Sequence, residues 1–275
     1  MSIDNDDLKF NFGCSSCGYK QIPPGAPLGR IPVSRMIERL DAFFAKNDME
    51  SAGRLLSDWQ LEAIALHDLS GELSVVNEML GYYRKTGEKE KALSAVDRSL
   101  ELLSLLNEEK TVSGATVRLN AATTMKAFGR AKDALPLYDR TFSIYNENLE
   151  ESDARLGGFY NNKALTLVDL KKYEEAENCY FKALSIMENI EGKQPDCAVT
   201  YINMAHLYND YMGPGNEKTD SCLNTAIYIL NGQECKRDSY YAFVCNKCAP
   251  SLDYFGFFAD ARELKERAKK IYEGA

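Results

Sequence analysis

Residues 159–190 read FYNNKALTLVDLKKYEEAENCYFKALSIMENI, and the chain from about residue 34 onward is a variation on this stretch. Its first half places Tyr160, Ala164 and Leu167 on one face of a helix. Its second half does the same with Ala176, Tyr180, Ala183 and Met187, and a polar joint from Asp169 to Lys172 divides the two. The pattern predicts a helix-turn-helix hairpin. One copy cannot bury its own apolar faces, so neighbouring copies must stack.

The copies keep a regular step. The Ala176 position recurs as Ala92, Ala134, Thr219 and Ala261, at spacings of 42, 42, 43 and 42 residues. Further along each unit come Ser99, Thr141, Ala183, Ala226 and Ala268, in phase with the first set. Residues this small at a fixed period mark places where two helices approach closely in every unit. Sliding the unit along the chain gives hairpins over about 34–69, 71–106, 112–148, 153–190, 195–231 and 238–273. The fold class is therefore all-α, a single continuous solenoid over 33–275 rather than two domains.

The two ends differ from the middle. The first hairpin carries Phe43, Phe44 and the only tryptophan, Trp59, and reads as an N-terminal cap with Ser34 as its N-cap residue. The last hairpin ends in DARELKERAKKIY, polar over most of its surface, which suits a C-terminal cap. Pro250 is expected to kink the helix before it, whereas Pro136 falls in the first turns of its helix, where a missing N–H is tolerated best. Residues 1–32 stand apart as an irregular arm. They hold a DNDD charge run and the stretch GCSSCGYKQIPPGAPLGRIP, dense in proline and glycine.

Composition narrows the function. Lys and Arg total 33 against 41 Asp and Glu, a net charge of −8, which is the wrong sign for neutralising phosphates, so nucleic acid and anionic membrane are not expected as partners. No apolar run approaches the roughly 18 residues that span a bilayer, and the acidic start MSIDNDDLKF does not resemble a signal peptide, so a cytoplasmic location is expected. The eight cysteines then read as reduced thiols. No GxSxG, Walker loop or HExxH occurs, and neither an enzyme nor a cofactor is expected.

With Ala164, Ala176 and Ala183 at positions 8, 20 and 27 of a repeat, the chain from Ser34 onward resembles tetratricopeptide repeat (TPR) proteins. Its 42-residue step exceeds the usual period of about 34 and is similar to the longer repeats of kinesin light chain and bacterial peptide sensors. The resemblance implies a right-handed superhelix of about six hairpins whose first helices line a concave groove.

One polar residue recurs where packing does not need it. Asn77, Asn120, Asn162, Asn203 and Asn246 each fall near position 6 of a first helix, which in such a solenoid points into the groove. Asparagine is a middling helix former, so its recurrence calls for a reason. An amide offers a donor and an acceptor on one rigid group and can pair with both the N–H and the C=O of an extended peptide. Arg84, Thr123, Lys126, Asp169, His206, Asp210 and Asp253 follow on the same face. The expectation is a non-catalytic scaffold that holds a protein or peptide segment on this asparagine ladder.

Rival readings stand beside it. The asparagines could bond neighbouring helices and serve only to fix the repeat geometry. The groove could be filled by the chain's own residues 20–33 or by a second copy, making the protein structural or self-assembling. A third is a metal or redox site from Cys245 and Cys248 with Cys14 and Cys17. Against it, Cys248 sits where other copies have Ala122, Ala164 and Ala205, so a small buried residue explains it.

Overall fold

The computed structural model describes residues 26–274. Within them the chain forms α1 (Val33–Ala45), α2 (Met49–Ala65), α3 (Leu69–Thr86), α4 (Lys89–Leu105), α5 (Val112–Ala127) and α6 (Ala131–Asn148). Then come α7 (Ala154–Asp169), α8 (Tyr173–Met187), α9 (Gln194–Met212), α10 (Glu217–Asn231), α11 (Ser239–Tyr254) and α12 (Phe258–Gly274). Each odd helix pairs with the even helix after it, giving six hairpins in an all-α repeat solenoid.

Tight turns keep the hairpins closed. Left-handed backbone at Asn47, His67, Gly87, Gly129, Lys171 and Gly256 reverses the chain, and side chains then cap the next helix: Asp48 accepts from Ser51 N–H and Asp68 from Gly71 N–H. Ser34 does not cap α1. The helix already starts at Val33, behind Pro32, with no side-chain cap, because Ile31 is held in place from another direction. Its N–H donates to Asp68 Oδ2 at 3.0 Å, its side chain is buried, and Leu28 N–H donates to Leu66 O at 2.8 Å. Residues 28–31 are therefore built into the fold against the α2–α3 turn, although the sequence places them in the arm. The rest of that arm, with Cys14 and Cys17, lies outside the described residues. α11 runs unbroken through Pro250.

The small residues are where helices touch. Ala92, Ala134, Ala176, Thr219 and Ala261 are all buried, as are Ser99, Thr141, Ala183, Ala226 and Ala268. Even helices seat the following odd helix with a second set: Val96 and Leu103 of α4, Tyr138, Phe142 and Tyr145 of α6, Tyr180, Leu184 and Met187 of α8. Phe159 of α7 shows the fit. Its ring lies 6.0, 5.7 and 6.3 Å from those of Tyr138, Phe142 and Tyr145. Each such pair adds about 0.5–1.5 kcal/mol beyond the burial itself. In α12 the corresponding positions are Lys265, Lys269 and Tyr272, all exposed.

Successive odd helices also pack on one another, from α1 on α3 through to α9 on α11, while no two successive even helices pack comparably. The odd helices are drawn together and the even helices fan outward, which makes the odd helices the inner surface of the curve.

Candidate functional site

The inner surface carries the asparagines, on consecutive first helices and in unequal settings. Asn77, Asn120, Asn162 and Asn203 are half-buried and Asn246 is exposed. Asn120 Nδ2 donates to Asn77 Oδ1 at 2.8 Å across α3 and α5, and Asn77 Nδ2 donates in turn to Glu78 Oε1 at 3.4 Å. Between α7 and α9 the acceptor is Asn161, one residue off the ladder: its Oδ1 takes Asn203 Nδ2 at 3.1 Å and Thr200 Oγ1 at 3.3 Å. Asn162 Nδ2 turns back along its own helix to Gly158 O at 2.9 Å. The Asn120–Asn77 and Asn203–Asn161 bonds join neighbouring repeats, whereas the Asn162 bond does not. Among the described residues the Oδ1 atoms of Asn120, Asn162 and Asn203 have no donor, and each amide is held in one orientation by its Nδ2 bond.

Between α5 and α7 the connection is made from below by Tyr138. Its hydroxyl donates to Asn162 O at 3.2 Å and accepts from Thr166 Oγ1 at 3.1 Å, with Thr123 Oγ1 at 3.5 Å. Two turns beyond the asparagines lie Arg84, Lys126 and Asp169. Lys126 Nζ pairs with Asp169 at 3.4 Å across the α5–α7 boundary, and both are partly exposed, so the pair is worth little in water. Arg84 has no carboxylate partner among the described residues, and burial pulls its pKa below the usual arginine value. His206 is half-buried. Its Nε2 lies 2.9 Å from Ser251 Oγ, and its ring packs 5.8 Å from Tyr254 and 4.9 Å from Phe255, so it wedges α9 against α11. Burial lowers its pKa, against a weaker upward pull from Asp210.

A cavity of about 540 Å³ opens between α1, α3 and α5, with Ile37, Leu73 and Val117 as apolar wall and Glu78 and Glu108 as its acids. α1 is short and packs only lightly on α3. Glu78 is half-buried; burial pushes its carboxyl above the usual range, the Asn77 bond opposes this, and Asp41 adds a small upward push.

The thiols are packing residues. Cys245 and Cys248 are buried, with pKa values pushed up to about 11 and about 12 by burial, so neither is a nucleophile at neutral pH. Among the described residues no group of three His, Cys, Asp or Glu side chains could hold a metal ion. No described helix is long and apolar enough to cross a membrane. Asn161, Glu78 and Tyr138 were not singled out by sequence. Tyr138 was legible as a seating residue, but nothing in a single copy marks which carbonyl its hydroxyl reaches.

No family model matches the sequence. The chain aligns at 24% identity over 161 residues with Protein KINESIN LIGHT CHAIN-RELATED 2 of Arabidopsis thaliana, a match that takes in 58% of this chain and only 23% of that relative's length. Among solved structures, BtubC (BKLC) from P. vanneervenii superposes with a TM-score of 0.53 at 21% identity, covering 84% of this chain and 91% of the other. The TPR-like repeats of a chain assigned as a kinesin light chain in Podosopora anserina superpose with a TM-score of 0.51 at 14% identity, over 72% of this chain and 94% of the other. The fold is the tetratricopeptide repeat solenoid with repeats of kinesin light chain type.

Proposed function

We propose that this chain is a non-catalytic scaffold of the cytoplasm that holds an extended peptide segment of a partner protein along the inner surface of α3, α5, α7 and α9. One observation carries the reading: Asn120, Asn162 and Asn203 are each locked by an Nδ2 bond, yet present Oδ1 without a donor. Pre-oriented acceptors spaced along successive helices suit the N–H groups of a peptide backbone and spare the entropy of fixing the side chains on binding.

The test is a fluorescence-anisotropy titration with a mixture of random labelled nonapeptides, comparing wild type with a variant in which Asn120, Asn162 and Asn203 are all alanine. Losing three peptide hydrogen bonds of about 0.5–1.5 kcal/mol each weakens binding by about ten- to a thousandfold. A triple variant that melts early yet binds as well as wild type would refute the groove and leave the asparagines as struts.

A further inference from the structure

Building on the groove just described, we propose that the cavity between α1, α3 and α5 is a subsite for one basic side chain, lysine or arginine, of the bound peptide. The asparagine chain ends there. Asn120 donates to Asn77 at 2.8 Å and Asn77 donates to Glu78 at 3.4 Å, so two rungs orient the Glu78 carboxylate, which has no cationic partner among the described residues. Asp41 nearby and Glu108 on the cavity lining add negative charge without neutralising it. Among the described residues the one cation on the lining is already engaged: Arg155 grips Asp153 through Nε at 2.9 Å and Nη2 at 2.6 Å.

A half-buried carboxylate with acids as neighbours has lost part of its hydration and has only the long Asn77 hydrogen bond in return. A cation supplied from outside completes it. The shape agrees, because Ile37, Leu73 and Val117 form an apolar wall that suits the methylene stem of lysine or arginine while the charged head reaches Glu78. A bare metal ion fits poorly, since no three ligating side chains converge there among the described residues.

A positional-scanning array of nonapeptides, each with one fixed residue and mixtures elsewhere, is probed with full-length wild type, E78Q and E78K, with a circular-dichroism melt of each. Wild type selects lysine or arginine at one position over alanine or glutamate by about tenfold or more. E78Q removes that selectivity by about ten- to a hundredfold, the range for a hydrogen bond to a charged group, while preferences at other positions persist. E78K shifts the preference at that position to aspartate or glutamate. Should the Glu78 variants not fold, E108Q is read in their place, since Glu108 lies in the α4–α5 turn. If wild type binds peptides without a basic preference, or E78Q keeps it, the subsite is refuted while the groove stands. If wild type binds no peptide in the array, the groove itself falls, and this subsite with it.

Discussion

Tyr138 and Tyr180 sit at the same place in successive repeats and are both fully buried, but replacing each by phenylalanine should have opposite effects. The Tyr138 hydroxyl is paired with Asn162 O and Thr166 Oγ1. At the corresponding places around Tyr180 stand Leu165 and Leu207, and among the described residues its hydroxyl has no partner. Tyr138→Phe loses a net hydrogen bond of about 0.5–1.5 kcal/mol, and Thr166 retains its bond to Asn162 O. Tyr180→Phe removes a buried hydroxyl whose desolvation costs about 1–3 kcal/mol, so it is neutral or stabilising. At about 2–4 °C per kcal/mol for a chain of this size, Tyr138→Phe lowers the melting temperature by a few degrees and Tyr180→Phe leaves it unchanged or raises it. Circular-dichroism melts of the two variants beside wild type read this directly. A Tyr180→Phe variant that loses as much as Tyr138→Phe would refute the reasoning, since its hydroxyl must then be paired, for instance with a buried water.

Asp68→Ala removes both the cap on Gly71 N–H and the anchor of Ile31 N–H, and should cost about 2–3 kcal/mol in a urea titration, more than the loss of a single cap. Deleting residues 1–32 should lower the melting temperature, because Ile31 is buried. A double-mutant cycle on Asn77→Ala and Asn120→Ala should give a coupling of about 0.5–1.5 kcal/mol, and additivity would mean their 2.8 Å bond contributes nothing. His206 has a folded-state pKa below its unfolded value, so the unfolded chain takes the proton first and stability falls as pH drops below about 6.5. His206→Gln should therefore lose less stability than wild type between pH 7.5 and 5.5, and an equal loss in both would contradict the burial of that ring.

The period and the hairpins were legible because small residues cannot be exchanged where two helices meet. Ala134 and Thr141 occupy the same contacts as Ala176 and Ala183, and the spacing alone announces them. The start of α1 was not legible. Ser34 has the right chemistry for a cap, but the anchor that decides the start is Ile31 on Asp68, 37 residues away. The candidate site was legible as a row and illegible as a network. Asn203 reaches Asn161 rather than Asn162, a pairing between α7 and α9 that no single repeat encodes. Glu78 had no sequence signature at all; among many surface carboxylates only its position between α1 and α3 sets it apart.

The central claim is that peptide binding occurs on the inner surface. The most direct measurement places the photo-crosslinker benzoylphenylalanine at Ser113, exposed on the lining of the α1–α3–α5 cavity, or at Ser94, exposed on α4 beside a separate cavity between α2 and α4. Each protein is irradiated with the tightest-binding labelled nonapeptide, and adducts are read by mass spectrometry. Adducts at position 113 that are competed away by unlabelled peptide, with none at 94, are the predicted result. Adducts at 94 alone, or at neither position, would contradict the account.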